Sequence, residues 1–324
     1  MKNWEELNLI KSIKNRASDH VRDVILGIGD DTAVVDTHAH EKMLYTVDSV
    51  VDGIHFLGDL NLWESAGKRA IGAATSDIAA MGGTPLYAML SLFLPHDFPL
   101  KHVNAFLKGF LQRLKEYRMT LIGGNITTMR GKFAADTVVI GKAYRGRFIR
   151  RSGARNGDIV CMAGIAGEAM ASMDLLTSGK AGSYRALVKK YLEPAPMLKE
   201  SIHIIREMSP NSLIDVSDGL LQDLKHIADE SNVGIVLDLD NIPLTDGIRY
   251  TAGLMHKSPY DYVLTGGDDY VLVFTVPEKN YREVVHGTTI YKIGRVTKTR
   301  GIRFYKDGKK MPLKFKKLGY THTG

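Results

Sequence analysis

Apolar and polar positions along the chain follow periods that predict both helices and strands. In the N-terminal half, apolar residues recur at helical spacing over residues 4–15, 63–82 and 98–118. Short apolar runs predict strands over residues 42–48, 86–95, 119–124 and 134–145. Strands alternate with helices, so we expect an α/β layer structure, and the pattern leaves open whether the strands run parallel or antiparallel.

The pattern is interrupted near residues 146–157, a stretch rich in Gly and Arg and poor in aliphatic residues. We expect a domain boundary there, between an N-terminal domain of residues 1–147 and a C-terminal domain of residues 148–324. Beyond it, helical spacing occurs over residues 166–178 and 184–207, and a strand leads into a helix over residues 212–231. Further strands are predicted over residues 159–164, 234–240, 262–267, 270–276 and 290–297.

Composition places the chain among ordinary globular proteins. Of its 324 residues, 44% are hydrophobic and 24% are charged. No apolar run of about 18 residues indicates a membrane span, and the N-terminus lacks the apolar core of a signal peptide. The single cysteine, Cys161, excludes an internal disulfide framework and is expected to be a buried thiol. We therefore expect a cytoplasmic protein without a membrane partner.

The net charge of +7 raises nucleic-acid binding as a possibility. Much of the excess lies in Lys142–Arg155 and Lys292–Lys317, where the aromatic residues form no recognisable RNA-binding signature. A solvated basic surface, or one that meets a small anion, accounts for the charge better. We expect no nucleic-acid partner.

Acidic residues recur at strand ends, in glycine turns and on a helix built of small residues. They are Asp30 and Asp31 in LGIGDDTAVV, Asp48 in TVDSVVDGIHF, Asp77 in ATSDIAAMGG, Asp215 and Asp218 in IDVSDGL, and Asp268 and Asp269 in LTGGDDY. Each has a structural alternative; for example, Ser217 or Asp218 could cap a helix over residues 218–230. Asp77 has no capping duty in a helix interior. Almost none of these acids is followed by a Lys or Arg that could pair with it.

Such a set of carboxylates needs a neutralising group, and a divalent metal is the natural one. Oxygen ligands without Cys or clustered His favour magnesium, which is usually completed by substrate phosphates. Asp30 and Asp31 would therefore meet phosphate through a metal. The P-loop, the complete GxGxxG fingerprint and the protein-kinase motifs are missing from the sequence, so ATP would be bound on another scaffold.

Eight blocks of the sequence match one family in order. The chain resembles the thiamine-monophosphate kinase family, within the superfamily that also contains aminoimidazole-ribonucleotide synthetase, over residues 4–320. The matching blocks are GIGDDTAVV, TVDSVVDGIHF, GKRAIGAATSDIAAMGGTP, LSLFLP, LIGGNITT, RSGARNGD, IDVSDGLLQDLKHIADES and LTGGDDYVLVFT.

The resemblance implies a fold of two α/β domains (α+β type), with the N-terminal sheets of two chains paired in a homodimer. It implies ATP- and Mg²⁺-dependent phosphorylation of thiamine monophosphate to thiamine diphosphate. Because a phosphate acceptor is already anionic near neutral pH, direct in-line transfer of the γ-phosphoryl group needs no general base. The alternatives are another ATP-dependent enzyme of the superfamily, such as the ribonucleotide synthetase, or a non-catalytic nucleotide-binding regulator.

The resemblance also assigns roles to individual residues. The implied metal ligands are Asp31, Asp48, Asp77, Asp215 and Asp218, assisted by Thr46 and by Val47 through its carbonyl, with Asp30 ranked second to Asp31 and with Asn125 where many members have Asp. Asp77 and Asp218 are the implied catalytic residues. The implied ATP contacts are Gly124, Asn125, Arg151 and Ser217. The implied substrate contacts are His55, Asp268, which stands where the family usually has Glu, and Tyr320.

Overall fold

The computed structural model describes residues 23–37, 41–60, 62–312 and 318–319. The predicted helix over residues 4–15 lies outside these residues, as does Tyr320. Within the described part, the secondary structure forms two β-sheets, each with helices packed on it. The mixed α/β class expected from the sequence is confirmed.

The first sheet has six strands in the order β1-β2-β3-β6-β4-β5. Its strands are β1 Val24–Leu26, β2 Ala33–Asp36, β3 Lys42–Val51, β4 Gly83–Pro95, β5 Thr120–Met129 and β6 Ala134–Ala143. All neighbours are antiparallel except β4 and β5. The predicted strands of this half are confirmed, and β1 and β2 are additions that the apolar pattern did not indicate.

Two helices cover one face of the first sheet: α1 Trp63–Ala80 and α2 Leu100–Glu116. Alanine, which has the highest helix propensity, and other small residues fill α1, and nearly all of its residues are buried. It packs on β3, β4 and β6 and is also in contact with the second sheet. The helix ends where Gly82 adopts a left-handed φ of +72°.

The two helices touch backbone to backbone through a pair of glycines. A Cβ on Gly67 would lie 2.0 Å from the carbonyl oxygen of Phe106, and one on Gly109 would lie 1.8 Å from that of Glu64. No side chain fits either position, so these glycines set the separation of α1 and α2.

The second sheet has the strand order β14-β13-β9-β12-β7-β10-β8, with β11 paired to β12. Its strands are β7 Ile159–Ala163, β8 Ser212–Asp215, β9 Gly234–Asp238, β10 Leu272–Val276, β11 Val284–Val285, β12 Thr288–Thr297, β13 Gly301–Lys306 and β14 Lys309–Met311. Neighbours are antiparallel except β9 and β13. The first sheet ends at Ala143 and this one begins at Ile159, and the predicted domain division falls between them.

Among the described residues, six α-helices accompany the second sheet. They are α3 Glu168–Thr177, α4 Arg185–Leu192, α5 Leu198–Met208, α6 Leu220–Glu230, α7 Asp246–Leu254 and α8 Pro259–Thr265. Buried apolar residues form one core on each side of the sheet. Cys161 of β7 lies in one of these cores as a free buried thiol, as expected.

One predicted strand is wrong. Residues 262–267 were expected to be extended, but the segment is the end of α8 followed by a loop. Ser258 and Asp261 form a capping box, and Pro259 occupies the first helical turn, so a strong helix start overrides the apolar run that follows it.

Strand β5 lies at the edge of the first sheet, and no other described strand pairs with its free side. Every residue of β5 from Thr120 to Thr128 is exposed, including Ile122 and Ile126, which are 52% and 69% exposed. Val47 of β3 is also largely exposed. This uncharged edge strand carries none of the Lys or Pro residues that usually protect a sheet edge.

Candidate active site

A cavity of about 950 Å³ lies between the two sheets. It is lined by β3, the turn after it, α1, α3, and the loops that follow β8 and α8. Eight residues that the sequence singled out line it: Val47, Asp48, His55, Asp77, Asp215, Ser217, Asp218 and Asp268. The fold therefore brings together acids that are far apart in the sequence.

Three aspartates form the most compact cluster of the site. Carboxylate oxygens of Asp31, Asp77 and Asp215 all lie within 4.8 Å of one another. Burial, and then the neighbouring carboxylates, raise the pKa of Asp77 well above its ordinary value and that of Asp215 to about 7. The cluster is a concentration of negative charge that a cation would stabilise.

Each member of this cluster is placed by a different element. Asp31 follows Gly29, whose φ of +122° requires glycine. Asp77 lies in the interior of α1 and accepts a hydrogen bond from the Thr46 hydroxyl. Asp215 ends β8 and accepts one from the Ser76 hydroxyl at 2.5 Å. Asp48 lies two residues after Thr46 in β3, and alternation along the strand puts both on the side facing α1.

The expectation that almost none of these acids pairs with a Lys or Arg is wrong for Asp31, which pairs with Arg151, and for Asp268, which pairs with Arg69. One carboxylate oxygen of Asp31 accepts hydrogen bonds from Arg151, at 3.0 Å from Nε and 2.5 Å from Nη2. The other, Oδ2, is buried and has no hydrogen-bond partner among the residues that the structure describes, and the same holds for the hydroxyl of the adjacent Thr32. An unsatisfied buried carboxylate oxygen beside two further carboxylates fits a divalent cation.

Asp30 contributes chiefly to the turn. Its Oδ1 accepts the backbone N–H of Asp31 at 2.9 Å. Burial and the charge of Asp31 raise the pKa of Asp30 to about 7. Unlike Asp31, Asp30 is not part of the compact cluster with Asp77 and Asp215.

Ser217 and Asp218 do not cap the following helix. The N-cap of α6 is Gly219, at φ +122°, and its N–H donates to the Asp223 carboxylate at 3.1 Å. Asp218, Asp223 and His226 have ligand atoms within 4.8 Å of one another. Asp223 and His226 were missed, although their spacing of three residues places both on one face of α6.

Two predicted ATP contacts lie on the first sheet near its edge. A Cβ on Gly124 would lie 1.9 Å from the carbonyl oxygen of Leu90, so strand packing alone requires glycine there. Asn125 pairs with Ser91 in a row that continues to Asp136 and Ser49, on the side of the sheet opposite Asp48. Within one chain, Asn125 is not brought to the aspartate cluster.

His55 presents one ring nitrogen to the cavity. Its Nδ1 accepts the backbone N–H of Val51 at 3.0 Å, so the ring proton resides on Nε2. His55 lines the cavity, where this N–H can donate to an anion.

Asp268 is held by two side chains that the sequence did not indicate. Arg69 Nη1 lies 3.0 Å from Oδ2, and the Tyr270 hydroxyl donates to Oδ1 at 2.9 Å. Asp268 and Tyr270 have positive φ values of +65° and +54°, a strained conformation for non-glycine residues. One feature of the sequence could have indicated Arg69. It lies eight residues before Asp77 in α1, on the same face of the helix.

The cavity therefore has two chemically different ends. The aspartate cluster can hold a cation and, through it, phosphate groups. The other end combines Asp268 with apolar and aromatic side chains that can pack on an organic ring. These are Ile54, Met170, Met173 and Tyr191.

The comparisons with known proteins cover almost the whole chain. The family models described as AIR synthase related protein, N-terminal domain and C-terminal domain, match residues 29–143 and 156–307. The chain is 34% identical to a thiamine-monophosphate kinase of Aquifex aeolicus, over 99% of each chain, and 34% identical to that of Escherichia coli K12, over 98% of each. A solved structure described as AaThiL complexed with AMPPCP and TMP superposes with a TM-score of 0.86 at 33% identity, covering 99% of this chain and 98% of that one.

Proposed function

We infer the activity of this chain from its family, because the chain belongs to the thiamine-monophosphate kinases, within the AIR synthase related proteins. It phosphorylates thiamine monophosphate to thiamine diphosphate at the expense of ATP. The observation that carries this conclusion is the aspartate cluster of Asp31, Asp77 and Asp215 at one end of a cavity whose other end suits an organic ring.

The donor set supports Mg²⁺ as the cofactor. Asp31, Asp77 and Asp215 would hold it, with Asp48, Asp218, Thr46 and the carbonyl of Val47 nearby and Asp30 in support. When bound, Mg²⁺ supplies positive charge between the phosphate groups of donor and acceptor. Asn125 remains a prediction from the resemblance. It lies on the side of the sheet opposite Asp48, so within one chain the structure does not place it near the cation.

ATP would be bound beside this cluster. Asp31 holds the Arg151 guanidinium at the cluster through Nε and Nη2. The other N–H groups of this planar guanidinium can donate to phosphate oxygens. Ser217 lines the cavity and can donate its hydroxyl to a phosphate. The contact of Gly124 with ATP remains a prediction from the resemblance. The close approach of Gly124 to Leu90 explains the glycine without a nucleotide.

The phosphate of thiamine monophosphate is the nucleophile, and the Nε2–H group of His55 can donate a hydrogen bond to that phosphate. Asp77 and Asp218 act electrostatically, by positioning positive charge around the transferred phosphoryl group. Neither residue needs to remove a proton. Asp268 faces the ring end, and Tyr320 is the proposed ring-packing residue.

We propose that two copies of the chain associate through their first sheets. The fully exposed, uncharged edge strand β5 and the exposed Val47 support this, because such an edge is a template for pairing with another strand. A homodimer would bury Ile122 and Ile126.

Within residues 23–37, 41–60 and 62–312, no helix is both long and apolar enough to cross a membrane. Several basic residues of the C-terminal region are paired, Arg295 with Glu278 and Arg303 with Thr297. We propose a cytoplasmic enzyme without a nucleic-acid partner.

One assay tests the activity. Purified protein is incubated with ATP, Mg²⁺ and thiamine monophosphate, and the products are separated by chromatography. Thiamine diphosphate and ADP in equal amounts are expected. ADP without thiamine diphosphate would indicate a sibling activity of the superfamily, and neither product would indicate a non-catalytic nucleotide-binding protein.

A further inference from the structure

A buried arginine lies at the ring end of the cavity. Arg69 comes from α1, its side chain is 2% exposed, and it lines the cavity together with Ala73 and Asp77, one and two turns further along the helix. Burying a guanidinium is unfavourable unless it is paired and hydrogen-bonded. Its partners therefore indicate what it is for.

Arg69 makes three contacts that together require a planar guanidinium. Nη1 lies 3.0 Å from Oδ2 of Asp268, and Nη2 donates to the carbonyl oxygen of Tyr191. The guanidinium carbon also lies 4.3 Å from the centre of the Tyr191 ring. A lysine ammonium is a single point charge and could not make the three contacts at once.

Asp268 is the partner that faces the cavity. Its side chain is 34% exposed, and each of its two oxygens is already engaged once, by Arg69 and by the Tyr270 hydroxyl. A carboxylate oxygen can accept a second hydrogen bond, so Asp268 remains an acceptor. Because Arg69 neutralises its charge, it suits an uncharged N–H donor better than a cation.

We propose that Arg69 is a positioning residue that fixes the reach of the Asp268 carboxylate into the cavity and so selects a substrate ring bearing an uncharged amino group. This inference rests on the proposed function, in which the ring is the aminopyrimidine of thiamine monophosphate. Asp268 is one methylene shorter than the Glu that the resemblance associates with this position, and its backbone is strained. The fork of Arg69 holds the shorter acid in place.

The test exchanges the lengths of the two side chains. Arg69→Lys, Asp268→Glu and the double variant are compared with the wild-type enzyme by steady-state kinetics against thiamine monophosphate and ATP. We expect Arg69→Lys to raise KM for thiamine monophosphate about tenfold, because the buried ion pair that holds Asp268 is lost or displaced. KM for ATP should stay within about twofold. Arg69→Lys combined with Asp268→Glu should recover most of the loss, since the longer acid reaches the shorter base.

A substrate analogue tests selection of the amino group. With the pyrimidine amino group replaced by hydrogen, kcat/KM of the wild-type enzyme should fall about tenfold, and that of Arg69→Lys much less. Arg113→Lys is the matched control: Arg113 is also buried and ion-paired, with Glu116, but it does not line the cavity. It should leave both KM values and the selectivity unchanged.

Distinct outcomes contradict the two levels of the inference. A wild-type enzyme that forms no thiamine diphosphate would overturn the proposed function, and this would be known before any variant is made. With an active wild type, equal rises in both KM values, additive losses in the double variant, or unchanged selectivity in Arg69→Lys would overturn the positioning role alone.

Discussion

At the scale of single residues, the site is built from carboxylates that repel one another. Asp77 occupies a helix interior where it contributes nothing to helix stability, and burial together with Asp215 and Asp31 raises its pKa. A residue that costs folding free energy at neutral pH and is nevertheless placed in the cavity is best explained by its chemistry.

Asp77→Asn should abolish turnover while the protein stays folded. The substitution removes one negative charge from the proposed cation site and no core volume, so kcat should fall by about a thousandfold or more. The melting temperature without metal should be equal to or above that of the wild type, because repulsion is relieved. Asp174→Asn, in α3 and outside the cavity, serves as the control and should remain active. Near wild-type turnover of a folded Asp77→Asn variant would refute the assignment.

The raised pKa values predict how stability depends on pH. Asp30 and Asp215 have folded-state pKa values of about 7 against 3.8 when unfolded, so the folded state binds more protons between these values. Their stabilising contribution is complete below pH 3.8 and is lost as the pH rises through about 7. His226, whose pKa burial lowers to about 4, acts in the opposite direction, but only below its ordinary value of 6.5.

Calorimetry on the metal-free protein checks this dependence. The melting temperature should fall as the pH is raised toward neutrality, and the fall should be smaller in Asp215→Asn. Saturating Mg²⁺ should stabilise the protein most at the upper end of this range. A wild-type melting temperature that rises through the window, or that Asp215→Asn follows in parallel, would contradict the prediction.

At the scale of secondary structure elements, α1 carries one side of the site and depends on α2 for its position. Gly67 and Gly109 let the two backbones touch, and any side chain at either position would overlap a carbonyl oxygen. Displacing α1 would move Arg69 and Asp77 together.

Gly109→Ala should therefore lower the free energy of unfolding by about 3 kcal/mol or more, since its Cβ would lie 1.8 Å from a backbone oxygen. Gly253→Ala is the matched control, because Gly253 is also helical and has no atom within 4 Å of its added Cβ. That control should be neutral or stabilising, by up to about 1 kcal/mol. Urea denaturation measures both, and similar values for the two variants would show that the helices can separate at little cost.

The elements also show what sequence patterns could and could not provide. The long periodic segments α1, α2, β4 and β6 were predicted because their apolar spacing is regular. The acids proposed to bind metal were predicted from strand ends, glycine turns and a helix of small residues. The predicted strand over residues 262–267 failed because local capping chemistry at Ser258 outweighed the apolar run. The contacts of Arg151 with Asp31 and of Arg69 with Asp268 link distant parts of the chain, and local spacing carries no information about such pairs.

At the scale of the whole molecule, the exposed edge strand β5 is the surface through which we propose that two copies associate. Ile126→Lys combined with Ile122→Lys should convert the proposed homodimer to a monomer, because two charges on an edge strand oppose pairing. Leu111→Lys, on the outer side of α2 and 51% exposed, is the control and should leave the dimer intact. Sedimentation velocity distinguishes the two states, and an unchanged sedimentation coefficient of the double variant, with a dimeric wild type, would exclude this edge as the interface.

Helix α1 also sets the distance between two residues of the cavity. Arg69, at the proposed ring end of the cavity, and Asp77, at the proposed phosphate end, are separated by eight residues of one buried helix, which corresponds to a rise of about 12 Å. The spacing between these two side chains is thus set by the geometry of a single helix. A molecule with the same ring and the same phosphate, but a linker longer or shorter by one or two bonds, could satisfy one end only.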